Sequence, residues 1–248
     1  MGKEYTAKSF KSGNSVAIRM PAALGVEPDR EWVVAGENGG VVLRLKDGPK
    51  REFNIGNSPI LVTLPTGKRA LFVGLKNADI AALDPDDNGK LLFRVNPLGA
   101  KPGTLGRGGR GAIVWGGAVS EGRVVYGTGA AGLAAVEAAP GMNAWLFTAP
   151  GARGGSAGLG AAPTAIPGVV FEGATDGQLF AVSSPDGKQL WQFNTAQNFD
   201  TVNKVTARGG AINTSGAVVV DGMVYVTSGY AIIAGGSAGN VLLAFGVE

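Results

Sequence analysis

Residues 168–195 read GVVFEGATDGQLFAVSSPDGKQLWQFNT, and this stretch decides the fold. GVVFEG is an apolar run closed by Gly173. TDGQLFAV opens on the turn pair Asp176-Gly177 and then alternates. SPDGK is a second turn, in which Pro185 presets φ and Gly187 can take φ > 0. LWQFNT follows as a strand that sets Leu190, Gln192 and Asn194 against Trp191 and Phe193. The stretch therefore reads as three short antiparallel strands joined by tight turns. A sheet of that size cannot bury a face by itself, so it needs copies beside it.

The chain supplies those copies. Residues 70–95, ALFVGLKNADIAALDPDDNGKLLFRV, repeat the plan, with Phe93 where Trp191 stands. Residues 124–148, VVYGTGAAGLAAVEAAPGMNAWLFT, repeat it again and bring Trp145 to the same place. Residues 218–246 give a fourth, partial copy: VVVDGMVYVTSGY, a glycine loop, then NVLLAFG. The aromatics at 93, 145 and 191 lie about 45–55 residues apart, the repeat length of propeller blades built from four strands. A generic sandwich also has short strands and turns, but nothing in it requires an aromatic after each turn.

Within this repeat, GQLFAVSSPDGKQLWQF resembles the tryptophan-docking repeat of the pyrroloquinoline quinone (PQQ) propellers. Residues 58–248 resemble the C-terminal half of polyvinyl-alcohol dehydrogenase-like quinoproteins. The closest pieces are SPILVTLPTGKRALFVGLK, AIPGVVFEGATDGQLFAV, FDTVNKVTARGGAIN and the ending SGY…GNVLLAF. The fold this implies is all-β, a partial β-propeller of about four four-stranded antiparallel blades.

The resemblance also implies a site. Lys76 falls where the family has a lysine touching the reactive quinone oxygens, and a cation there stabilises the oxyanion of the reduced cofactor. Read without the resemblance, Lys76 is a strand-end lysine reaching to water. Ala78 replaces the family's usual glycine. Trp115 sits where the family carries an aromatic near the central funnel, with core packing as its other reading. Asn203, Arg208 and Asn213 belong to a loop that the family lays on the cofactor side, with surface-turn roles as the alternative. Asp84, before Pro85, reads as a turn cap and not a base.

The family's chemistry needs calcium-bound PQQ and an aspartate base, both supplied mostly by earlier blades. Calcium is therefore expected only with a complete site. The Gly-rich stretch 97–116 carries Lys101, Arg107 and Arg110, but no helix follows it, which excludes a phosphate-cradling loop. The chain has no Cys and no His. That excludes disulfides, thiolate metal sites, a covalently attached haem and the commonest general base. Net charge is +3, too mild to imply a nucleic-acid partner by itself. Gly, at 42 of 248 residues, far exceeds the usual share of about 7%, and with 45% hydrophobic residues this fits many turns and not disorder.

The N-terminal residues do not share the propeller pattern. YTAKSFKSGNSVAIRMP reads as strand, Ser-Gly-Asn-Ser turn and strand, and EWVVAGENGGVVLRLKD reads as a second hairpin. K-S-G-N-S-x-A-I-R-x-P and the hairpin after it resemble the AbrB/MazE/VapB family of swapped-hairpin DNA-binding antitoxins. That resemblance implies a domain at 1–47, duplex DNA as partner and a homodimer formed through these residues. Lys8, Lys11 and Arg19, with Asn14 and Ser15, are its candidates for phosphate and base-edge contacts. The plainer reading makes Asn14 a turn residue and the cations a solvated strand. Residues 48–57 form a linker, and the propeller runs from 58 to 248.

The start of the chain has charges at Lys3, Glu4, Lys8 and Lys11 and no apolar core of a signal peptide. No apolar run reaches transmembrane length, so no membrane partner is expected. The expected location is the cytoplasm, although the resembled quinoproteins are periplasmic. The residues and resemblances imply three alternative functions. The first is a PQQ-binding propeller fragment not competent alone, the second a DNA-binding regulator or antitoxin, and the third a propeller used as a passive interaction platform.

Overall fold

The computed structural model describes residues 9–12, 15–18, 32–37, 40–45, 55–102, 111–129, 132–150, 158–159, 161–231 and 236–246. The chain separates into two compact units, residues 1–52 and residues 53–248. In the first unit, β1 (Ser9–Ser12) pairs antiparallel with β2 (Ser15–Ile18), from Ser9↔Ile18 to Ser12↔Ser15. β3 (Trp32–Glu37) pairs with β4 (Gly40–Leu45), from Trp32↔Leu45 to Glu37↔Gly40. The one-turn helix read at AALG lies outside the described residues.

The second unit is a succession of antiparallel sheets, and no helix occurs among its described residues. Blade 1 holds β5 (Ile60–Thr63), β6 (Arg69–Gly74), β7 (Ile80–Asp84) and β8 (Lys90–Val95). Blade 2 holds β9 (Gly117–Ser120), β10 (Arg123–Gly127), β11 (Leu133–Glu137) and β12 (Asn143–Phe147). Blade 3 holds β13 (Thr164–Ile166), β14 (Val169–Gly173), β15 (Gln178–Ser183) and β16 (Gln189–Asn194). Strand order follows the sequence in each, as hairpin-connected meanders require. The fourth copy holds three described strands, β19 (Val218–Val220), β20 (Met223–Ser228) and β21 (Val241–Gly246). A two-stranded ribbon, β17 (Asn198–Phe199) with β18 (Ala207–Arg208), links blades 3 and 4 and carries no repeat signal in the sequence. The first strands neighbour one another in the order β5, β9, β13, β19, which makes the sheets the blades of a β-propeller.

Alternation along each strand explains why the blades stack. Val124 and Val125 are adjacent and both 0% exposed, yet Val124 packs with Phe72 and Ile80 of blade 1, and Val125 with Val170 and Phe180 of blade 3. Burying a side chain of this size contributes about 1.5–3 kcal/mol, so both faces of a blade stabilise the stack. A smaller cluster of Ala161, Leu179, Ile212 and Val226 joins blades 3 and 4, with Leu243 and Phe245 packed against it.

The repeated aromatic has a structural cause. The third and fourth strands of each complete blade are paired through the same irregularity. Ala82 faces Phe93 but Leu83 faces Leu91; Ala135 faces Trp145 but Val136 faces Asn143; Ala181 faces Trp191 but Val182 faces Gln189. Leu92, Ala144 and Leu190 are the extra residues of three equivalent bulges, and each is followed by the aromatic. The bulge turns that aromatic toward the next blade. A Cβ placed on Gly141 would lie 2.4 Å from Phe93, and one on Gly187 would lie 2.8 Å from Trp145. Both glycines sit in turns at positive φ, 84° and 72°, so the turn and the ring require a residue without a side chain.

Candidate functional site

Lys76 is placed by the β6–β7 turn, which has a counterpart in blade 3. Leu75 N donates to Asp79 O at 2.9 Å and Ala78 N to Leu75 O at 3.0 Å; Ala174 N donates to Gln178 O at 2.9 Å and Gly177 N to Ala174 O at 3.0 Å. Ala78 therefore occupies the position of Gly177. It takes φ 69° where the glycine takes 88°, so the substitution noted in the sequence leaves the turn unchanged in form and puts Ala78 in a left-handed conformation.

A buried polar network holds this turn. Asp79, 0% exposed, accepts Asn77 Nδ2 at 2.9 Å, Asn96 Nδ2 at 2.7 Å and Arg94 Nη2 at 2.6 Å. Asn96 also caps Leu98 N at 3.0 Å, and its own carbonyl accepts Asn143 Nδ2 of blade 2 at 3.2 Å. The carboxylate is surrounded by donors, which is the condition under which a buried charge is tolerated.

Lys76 itself is half-buried, and no carboxylate pairs with it among the described residues. Its Cε and the carbonyl oxygen of Val114 each lie 3.1 Å from where a Cβ of Gly56 would stand. Gly56 thus lets the lysine stem and the segment leading into β9 come together. Trp115, the residue after Val114, is half-buried there. The structure therefore brings Lys76 and the Trp115 segment to one end of the blades. Arg208 instead is exposed on β18 and donates to Asn198 Oδ1 at 3.3 Å and Ala196 O at 3.4 Å. Asn203 is exposed, and Asn213 is buried at 2% exposure. Asp84 caps its turn by accepting Asp86 N at 2.9 Å, as the sequence implies.

Of the N-terminal candidates, Lys8, Asn14 and Arg19 lie outside the described residues, as do Arg107 and Arg110 of the Gly-rich stretch. Lys11 is exposed on β1 opposite Val16, and Ser15 opens β2 opposite Ser12.

One chemically notable residue escaped the sequence reading. Glu172, on β14, is 1% exposed, and neither carboxyl oxygen makes a full hydrogen bond. Burial pushes its carboxyl well above the usual range, with the facing Ala161 backbone N–H acting in the opposite direction. The Tyr126 hydroxyl, at the corresponding place on β10, is likewise buried without a partner, and burial raises its pKa. The signal for Glu172 was present: it shares the parity of Val170 in an apolar strand, which aims it into a blade interface. Among the described residues, no group of three or more His, Cys, Asp or Glu could hold a metal ion. No helix of the described residues is long and apolar enough to cross a membrane.

Comparison with known proteins agrees with this architecture. The sequence profile of the PQQ_2 family, described as outer membrane protein assembly factor BamB, matches residues 76–243, more than half of the chain. Polyvinylalcohol dehydrogenase from a Pseudomonas species is 38% identical over 227 residues, covering 82% of this chain and 34% of that protein. Polyvinylalcohol dehydrogenase from a Sphingopyxis strain is 32% identical over 224 residues, covering 79% of this chain and 33% of that protein. The chain thus spans about a third of the length of these curated relatives. Quinohemoprotein alcohol dehydrogenase from Comamonas testosteroni superposes with a TM-score of 0.54 at 17% identity, over 72% of this chain and 29% of that one, a likeness of fold alone. On the profile match and the repeated blades together, the chain belongs to the PQQ_2 family of β-propeller repeat proteins.

Proposed function

We propose that this chain is a quinoprotein-type propeller segment that contributes part of a PQQ site through Lys76 and Trp115, and that it does not oxidise an alcohol alone. The observation that carries the reading is Lys76: a half-buried cation without a carboxylate partner among the described residues, on a turn held by Asp79, Asn77 and Asn96. A fixed cation of this kind suits the oxygens of an ortho-quinone, and a held turn keeps its position from being lost to rotamer freedom. When bound, PQQ supplies the two-electron acceptor for alcohol oxidation. Lys76 would hold the quinone oxygens, and Trp115 would cover the ring. The described residues do not fit calcium, since they offer no cluster of ligands, and no step is assigned to it.

The test is a titration of the full chain with PQQ, followed by quenching of tryptophan fluorescence. Lys76→Ala is expected to weaken binding roughly tenfold or more, the loss of one hydrogen bond to a charged group. Equal affinities for wild type and variant would remove Lys76 from the site. With PQQ, calcium, secondary alcohols and an artificial dye, no reduction above the Lys76→Ala control is expected. Turnover above that control would overturn the proposal that the segment is inactive alone.

A second reading concerns the N-terminal unit, favoured by its two antiparallel hairpins β1–β2 and β3–β4. Under it, residues 1–47 contact duplex DNA through a basic strand-turn pair and form a homodimer. Binding should fall steeply as salt rises, because cations released from phosphates drive it. A gel-shift titration of the full chain at low salt tests it, and no shift at micromolar protein would leave a structural hairpin unit.

A further inference from the structure

The joints between blades 1 and 2 and between blades 2 and 3 define what a fully covered blade face looks like. On the face that each blade turns toward its predecessor, Val124 and Val136 of blade 2 are 0% exposed, and so are Val170 and Val182 of blade 3. The equivalent positions of blade 1 are Leu71 and Leu83, and neither is fully buried. They belong to a row that crosses the whole sheet in register: Leu61↔Leu71, Leu71↔Leu83 and Leu83↔Leu91. The two ends of the row, Leu61 and Leu91, are each 54% exposed. Four leucines lined up on one face are built as a blade interface, while the opposite face of the same sheet buries Phe72 and Ala82 completely.

Blade 4 shows the complementary deficit on the face it turns away from blade 3. Val218, Val220 and Leu242 are 60%, 48% and 64% exposed. Val218 pairs with Tyr225, whose counterparts Phe72 and Val125 are fully buried in the first two joints. A cavity of about 600 Å³, lined in part by Thr227, Tyr230 and Leu242, opens beside this face. A chain that exposes two apolar sheet faces has the composition of an interface and not of a solvated surface.

We infer that these faces are the two halves of one joint, made between this chain and a second copy of it. Blade 4 of each copy packs on blade 1 of the other, twice, and the ring closes with two-fold symmetry. Each joint repeats the arrangement inside the chain, where β9 lies beside β5 and β19 beside β13; in the new joint β5 of one copy lies beside β19 of the other. A head-to-tail contact closes when each copy turns through half the circle, as four blades of an eight-bladed ring do. Eight blades is within the range that propellers adopt. This inference rests on blade packing and not on the cofactor reading, so the two stand or fall separately.

Light scattering of the full chain at micromolar concentration tests it. The expected mass is twice 25.0 kDa. Leu61→Glu and Leu242→Glu, made separately at exposed positions on opposite faces, are each expected to give single-chain mass with an unchanged far-ultraviolet circular dichroism spectrum. A wild-type chain at single-chain mass would overturn the proposal. A dimer that survives both substitutions would also overturn it, and would place the contact elsewhere, as a dimer through residues 1–47 would be. A second measurement does not depend on how the variants fold. The chain has no cysteine of its own, so a protein carrying both Leu61→Cys and Val218→Cys presents two thiols. A short bis-maleimide should link them between copies, giving a two-chain band on a denaturing gel. Linkage confined within one chain would mean that four blades close on themselves, and would sink the idea.

Discussion

The joint between blades 2 and 3 and the joint between blades 3 and 4 begin from the same sequence device and end differently. At the first, Trp145 follows a bulge, lays its ring on Gly187 and donates from Nε1 to Ser184 O at 2.8 Å. Ser184 is 1% exposed, and its hydroxyl donates to Glu121 Oε2 at 2.8 Å while accepting Ser120 Oγ at 3.0 Å. At the second, Trp191 follows the same bulge but is 38% exposed. Its ring stacks on Phe193 at 5.9 Å and meets Phe245 edge-on at 5.3 Å. A cavity of about 480 Å³ lies there, lined by Phe171, Trp191, Phe193, Gly222 and Phe245 among others. The difference shows that the docking aromatic is only half of a joint. The other half is the turn of the following blade, with its glycine and its carbonyl acceptor.

The largest effect should separate the two tryptophans. Trp145→Ala loses both packing and a hydrogen bond, and should cost about 3 kcal/mol, near the low end for a large aromatic because the ring is half-buried. Trp191→Ala should cost about 1 kcal/mol, since much of the ring already faces water or open space. Urea unfolding followed by circular dichroism measures both, and equal losses would erase the distinction between the joints. Next come the turn glycines. Gly187→Ala must tolerate φ 72° and a Cβ 2.8 Å from the Trp145 ring, and should cost about 2–3 kcal/mol. Gly222→Ala has a similar φ of 75° but meets nothing within 4 Å, so about 1 kcal/mol of left-handed strain is expected. A Gly222→Ala loss as large as that of Gly187→Ala would show that the open joint is closed in solution.

Glu172 gives the third contrast, and the smallest at low pH. A Cβ on Gly127 would lie 2.9 Å from its Oε1, so the carboxyl is pressed against blade 2. Because its folded pKa is raised above the ordinary 4.5, its contribution to stability is fully present below that value. As pH rises the unfolded chain releases its proton first, and the contribution is lost up to the raised folded pKa. Glu172→Gln cannot ionise. Its stability relative to wild type should therefore improve from pH 4 to pH 8, read as the change in urea midpoint. A difference that stays constant across that range would mean that the carboxyl is not held protonated in the blade interface.

Much of this was legible in the residues themselves. The strands at 169–173, 178–183 and 189–194 were visible in period-two alternation between Asp-Gly and Pro-Asp-Gly turns, because local sterics set both signals. Phe93, Trp145 and Trp191 revealed the repeat, and they do occupy one register in three blades. The bulge that aims them was not legible, since it depends on how two strands pair and not on either strand alone. The Asp79 network escaped for a similar reason: Asn77, Asp79, Arg94 and Asn96 are spread over two strands and a turn. Lys76 could be nominated by resemblance, but its half-buried position and its lack of a carboxylate partner among the described residues are properties of the packed turn.

By itself, then, the sequence determined the all-β class, the blade repeat and the turns, because alternation and φ > 0 glycines act over a few residues. Only the tertiary structure decided which blade faces are covered, which buried acid lacks a partner and which tryptophan finds its turn. Those outcomes depend on neighbours far apart in the chain, and stacked sheets settle them face by face.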